Sequence, residues 1–213
     1  KIRMAPTEPG AWTYTTSSND NQLNSKSGGF TCIPSAERGF LRINPAYPTT
    51  FMWDNGEPFF FIGETQWGRE LVGNHFQTGD FQTFVDKRSE QGFTIFCLSQ
   101  PALDNRTETN EGGPSRYNGD LDQINPGFFE WIDKRIVYMN GKGIQPMILI
   151  GSPDHGLIDN GLSKLIRIQR YMIARWAAYN VIWFMMKEYP ELGDNNAVRA
   201  IGDAIEQYDP YRH

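Results

Sequence analysis

The sequence predicts an α/β fold built on a parallel β-sheet, and three observations carry that expectation. From residue 58 onward, short apolar runs alternate with segments of helical periodicity four times in succession. Each unit has a short return loop and a longer forward loop, the arrangement of parallel strands joined by crossover helices. The apolar runs are continuous rather than alternating, as in Val181 to Met186, so they read as strands covered on both faces. No glycine-rich fingerprint follows the first of them, which argues against the doubly wound nucleotide-binding fold.

Residues 1–53 have a different style. Short runs rich in β-formers, Ala11 to Thr15, Gly29 to Ile33, Gly39 to Ile43 and Thr50 to Trp53, are separated by Ser, Asn, Gly and Pro clusters. They read as antiparallel strands too few to make a sandwich alone, so they belong with a neighbour or with a larger sheet domain. Asn55-Gly56 then supplies the positive φ angles of a tight hairpin turn.

The first strand-helix unit is read as Phe59 to Ile62, ending in Glu64, Thr65, Gln66 and Trp67, followed by a helix to Gln91 that Asp80 can cap. Phe93 to Leu98 gives the second strand, with Gln100 beyond its end. A long polar excursion from Pro101 to Asn125 leaves that strand, and connections of this length are often functional. Asn125-Pro126 starts the second helix as cap and first-turn proline. Ile144 to Ile150 is the third strand, with Asp154 and His155 in the loop after it. The third helix spans about 162–179, the fourth strand is Val181 to Met186, and a last helix spans 194–208.

Composition narrows the chemistry. A net charge of -5 without any run of Lys or Arg offers no phosphate-neutralising stripe, so no nucleic-acid partner is expected. Aromatics make up 14% of the chain, with six Trp and nine Tyr, and such rings suit the apolar faces of sugars as well as a core. Cys32 and Cys97 lie far apart in sequence, and His75, His155 and His213 have no ligand spacing, so neither a metal nor a cofactor is expected. No apolar run reaches the length of a membrane span. Asn105-Arg106-Thr107 is a formal glycosylation sequon.

In parallel α/β folds, chemistry gathers at the carboxyl ends of strands. Glu188 follows the fourth strand after Lys187, with Tyr189 and Pro190 next, and is the first candidate for a working carboxylate. Glu64, Trp67, Gln100, Asp154, His155 and Tyr189 occupy strand ends where binding residues belong: Glu64 for hydroxyl hydrogen bonds, Trp67 for stacking. Lys187 is expected to face away from Glu188, because neighbouring strand residues point oppositely.

Gly39 to Ile43, Asp54 to Trp67, Asp86 to Thr94 and Asn180 to Phe184 resemble the apiosidase-like glycoside hydrolases, barrel enzymes related to clan A of the glycosidases. Gly10 to Tyr14 and Gly29 to Cys32 are similar to the closing strands of the β-sandwich domain that often precedes that barrel. The resemblance implies a (β/α)8 TIM-barrel type fold, present here as its first four β/α units (54–213) and preceded by the end of a sandwich domain (1–53). It implies two-carboxylate cleavage of a polysaccharide, with retention, Glu188 standing where the family relatives place the acid/base and the second carboxylate lying on strand seven. Clan A enzymes usually carry Asn-Glu at this point, where the chain has Lys187-Glu188. A secreted protein, extracellular or periplasmic, with a carbohydrate substrate is expected. The remainder of the barrel would come from the same longer chain or from another. The competing readings are a non-catalytic carbohydrate-binding or structural protein on the same barrel, and a subunit whose barrel a second chain completes.

Overall fold

The computed structural model describes residues 3–66, 77–98, 109–113, 122–151 and 161–213. The chain forms two compact units, Met4–Arg38 and a larger one comprising Lys1–Arg3 with Gly39–His213.

The smaller unit is an antiparallel hairpin of β1 (Gly10–Thr15) and β2 (Ser27–Cys32), paired from Gly10 with Cys32 to Thr15 with Ser27. Its loop is closed by backbone bonds of 2.8 Å from Thr16 to Lys26 and from Ser25 to Thr16. The Tyr14 ring lies over Gly28: a Cβ there would stand 2.6 Å from Tyr14 Cζ and displace that exposed ring. Cys32, at the end of β2, is half-buried and free.

The larger unit opens with a three-stranded antiparallel sheet of β3 (Leu41–Ile43), β4 (Phe51–Trp53) and β5 (Pro58–Phe59). Gly56, at φ 90, makes the expected hairpin bend between β4 and β5. A parallel sheet follows, in the order β6 (Gly63–Gln66), β7 (Ile95–Leu98), β8 (Gln145–Leu149), β9 (Ile182–Phe184). Among the described residues four α-helices alternate with these strands: α1 (Thr78–Glu90), α2 (Pro126–Gly141), α3 (Leu162–Trp176) and α4 (Asn195–Tyr208).

The run Phe59 to Ile62 is therefore not the first parallel strand. Phe59 pairs with Phe51 across the antiparallel sheet, and the Phe61 ring packs tilted against Phe51 at 5.8 Å and edge-on against Phe59 at 6.4 Å. Phe60 is 76% exposed, so continuous aromatic character here marks ring-to-ring packing on one side rather than two-sided burial. Parallel pairing begins only at Gly63, opposite Ile95.

Helix starts follow local chemistry. Asn125 caps α2 as expected, its Oδ1 accepting from Gly127 N at 3.2 Å, and Asp194 caps α4 by accepting from Asn196 N and Ala197 N at 3.0 Å. At α1 the expected Asp80 cap is replaced. Gln77 precedes the helix without a side-chain bond, and Glu111, from the long β7 to α2 connection, accepts from Thr78 N at 2.7 Å and from the Thr78 hydroxyl.

Parallel pairing puts directly opposed residues on the same face. Phe96, Leu98 and Ile148 join the helix side chains Phe81, Val85, Phe129, Ile132, Ile136, Leu165, Ile173, Trp176 and Ile201 in one buried core. Thr65, Cys97, Met147 and Ile182 form a row on the opposite face, with Leu149 and Phe184 beyond it toward the carboxyl ends. Asp133 ties the helices together. It is 5% exposed and accepts from Arg175 Nε and Nη2 and from Trp176 Nε1, each at 2.8 Å, as well as from Arg3. A buried carboxylate is tolerable only with such compensation.

Candidate active site

The carboxyl end of β9 is held from several directions. Ile150 N donates to Phe184 O at 3.0 Å, extending the β8-β9 ladder by one rung. The Met185 side chain reaches α4, where a Cβ on Gly202 would stand 3.5 Å from its sulfur, and Met186 is 5% exposed in the core. Lys187 and Glu188 come next. Glu188 adopts φ 50 and ψ 32, a left-handed conformation unfavourable for a side chain with a Cβ. It precedes a short 3-10 turn, Tyr189–Leu192, which Gly193 closes at φ 67 by donating to Pro190 O at 3.3 Å.

This bend redirects the side chains. The Glu188 side chain is 58% exposed, and Lys187 Nζ lies 3.7 Å from its Oε2. The expectation that Lys187 faces away is corrected: strand alternation ends at Phe184, and a left-handed residue brings consecutive side chains to one side. Tyr189, 53% exposed, starts the 3-10 turn beside Glu188. Leu149 and Phe184 give the sheet an apolar floor at this end.

Glu64 lies on β6 opposite Phe96 and so faces the helices. Both its oxygens are engaged by Arg88 of α1, through Nε and through Nη2 at 3.2 Å, while Arg88 also lies over the Phe84 and Phe93 rings. The strand-end position expected for Glu64 is corrected: β6 runs from Gly63 to Gln66, so Glu64 is its second residue and its carboxylate is spent on Arg88 in the helix layer. Thr65 occupies the opposite face, and pairing register was needed to distinguish the two. Trp67, Gln100, Asp154 and His155 lie outside the described residues.

Sequence reading missed two residues at this end of the sheet. Gly151 directly follows Ile150, and Gln169 on α3 donates from Nε2 to Ile150 O at 3.0 Å. A glycine immediately after a strand was the available signal for the first; a lone polar residue on the apolar stripe of α3 was the signal for the second.

Neighbouring electrostatics are structural. The Glu111 carboxyl is held below the usual glutamate range by hydrogen bonds from the Thr78 hydroxyl, from Trp131 Nε1 at 3.1 Å and from the Thr78 backbone. Burial would raise the Asp209 carboxyl, but the hydrogen bond and charge of His213, with the Tyr211 and His213 backbone N–H groups, outweigh it and lower it to about 2. Burial pushes the Cys97 thiol up to about 11, so it is protonated and a poor nucleophile. Among the described residues no group of three or more His, Cys, Asp or Glu is placed to hold a metal ion, and no helix is long and apolar enough to cross a membrane.

A parallel sheet alternating with helices defines a mixed α/β protein of TIM-barrel-like fold. Solved structures share it. A candidate glycoside hydrolase from Bacteroides vulgatus superposes with a TM-score of 0.76 at 23% identity, over 100% of this chain and 45% of that one. A glycoside hydrolase family 5 protein from Bacteroides vulgatus gives 0.67 at 18% identity, over 82% of this chain and 38% of that one. The chain thus spans less than half the length of these structures. Comparison with curated protein sequences gives no match. Residues 49–213 match the sequence profile described as apiosidase-like, catalytic domain, and the chain belongs to that family.

Proposed function

We propose that the chain forms the first half of a glycoside hydrolase that cleaves O-glycosidic bonds in a polysaccharide, with retention, and that Glu188 is its general acid/base. In this reading β6 to β9 are strands one to four of a (β/α)8 barrel, and the strands ahead of them close a sandwich domain. The second carboxylate belongs to the remainder of the barrel, from the same longer chain or another. The observation that carries the reading is the place of Glu188: it leaves the fourth parallel strand at its carboxyl end, in an unfavourable backbone conformation, within a domain of the apiosidase-like family.

Glycoside cleavage needs one carboxyl group to protonate the leaving oxygen and a second to attack the anomeric carbon. An acid fixed by backbone geometry over an apolar floor can meet that oxygen, while Tyr189 and the candidates Trp67, Gln100, Asp154 and His155 contact the sugar. The substrate is a plant, algal or microbial polysaccharide, and the protein is secreted.

The test is release of reducing sugar from a panel of such polysaccharides by the complete protein. Glu188→Gln is expected to lower turnover by about 1000-fold while binding in affinity electrophoresis persists; unchanged turnover overturns the assignment. Binding without turnover in the unsubstituted protein would favour a carbohydrate-binding module. Proton NMR of the first-formed anomer tests retention.

A further inference from the structure

Glu188 stands four residues beyond the last strand residue of β9, on a path with little freedom. Its backbone angle is unfavourable, so neighbouring contacts must hold the segment. One of those contacts comes from the end of β8, which Gln169 in turn holds. Gly151 is buried, and a Cβ there would fall well inside van der Waals distance of the Met185 carbonyl oxygen and 3.6 Å from Gln169 Nε2. Gly151 does not adopt a positive φ, so space alone forbids a side chain.

Gln169 is 0% exposed on α3. Its Nε2 donates to Ile150 O, the carbonyl just before Gly151, while its Oε1 is buried without a hydrogen-bond partner among the described residues. A carboxamide held half-satisfied in a core destabilises the fold relative to an apolar residue of the same shape. Its placement is explained by what the other half grips. Ile150 is fixed through its N–H to Phe184 O and through its carbonyl to Gln169, and the next residue offers the slot for Met185 O.

We propose that Gly151 and Gln169 are positioning residues for Glu188: they lock the end of β8 so that the Met185 carbonyl seats against Gly151 and the following residues deliver the carboxyl group to a fixed place. The inference rests on the acid/base reading of Glu188. Placing a Cβ at Gly151 forces a shift of about 1 Å, and misplacement of that order costs about 100-fold in rate. The loss should fall only on substrates whose leaving group needs a proton.

The experiment measures kcat/KM of the complete protein on paired 4-methylumbelliferyl and 2,4-dinitrophenyl glycosides, using the sugar turned over fastest in a panel. Methanol makes a third leaving group available through the methyl glycoside of the same sugar. Gly151→Ala is expected to lose about 100-fold on the methyl glycoside and to stay within about threefold on the dinitrophenyl glycoside, whose departure needs no acid. Gln169→Met, which keeps volume and releases Ile150 O, should show the same selective loss to a smaller extent; it also serves if Gly151→Ala does not fold. Equal losses on all three substrates, or none, overturn the inference. Glu188→Gln is run in parallel. If it lacks the selective loss, the acid/base reading itself fails; if it shows the loss and the other two variants do not, only the positioning role fails.

Discussion

Replacing Glu188 by glycine should stabilise the protein while removing its proposed activity. At φ 50 and ψ 32 the residue occupies the left-handed region, which costs a residue with a Cβ about 1–2 kcal/mol. Glycine removes that cost but gives up about 0.4–1 kcal/mol through the greater freedom of the unfolded chain. The side chain subtracts little on leaving: it is 58% exposed, and an exposed ion pair like that with Lys187 at 3.7 Å contributes well under about 1 kcal/mol. A net gain of about 0–1.6 kcal/mol remains, with a midpoint of about 0.8 kcal/mol, which for a domain of this size raises Tm by about 2–3 °C. Thermal unfolding followed by circular dichroism should be run on the wild type, Glu188→Gly and Glu188→Gln. Glutamine keeps the Cβ and the strained backbone, so its Tm should match the wild type and isolate the backbone term. A glycine variant no more stable than the glutamine variant would refute the argument that the surroundings hold Glu188 against its preference.

Two further outcomes concern the supporting structure. Glu111→Ala removes the acceptor at the start of α1 and should cost about 1 kcal/mol, read as a lower midpoint in urea unfolding. Because the Glu111 carboxyl is held below its ordinary range, its contribution is complete above that range and fades as pH falls through the lowered value. Asp209 behaves likewise with a larger shift: lowered from 3.8 to about 2, it contributes about 2 kcal/mol above pH 4 that disappears as pH falls toward 2. Asp209→Asn should therefore flatten the stability profile between those limits; an unchanged slope would rule out the His213 pair as its source.

The strand-helix rhythm was legible because it depends on local pattern. The Asn125 cap and the apolar stripes of α2 and α3 are written in consecutive residues, and Glu188 is a candidate by its position after an apolar run alone. What escaped depended on partners distant in sequence. Nothing near Thr78 announces that Glu111 will cap it. The aromatic run Phe59 to Ile62 looks like a buried strand until Phe51 is known to lie opposite Phe59. Glu64 and Thr65 differ in role only because register sends one toward Arg88 and the other to the opposite face. Lys187 was misjudged because an alternation rule was carried past the end of the strand, into a residue with positive φ.

The distribution of cysteine has a practical consequence. Each compact unit carries one thiol, Cys32 in the hairpin and Cys97 in the parallel sheet, and both are free. They form a native pair of reporters. Pulsed alkylation read by peptide mass spectrometry would time the opening of each unit separately, the half-buried thiol through local fraying and the 7% exposed one only when the sheet comes apart. Whether the hairpin melts with the sheet or ahead of it can thus be followed in the natural sequence, without introducing a label.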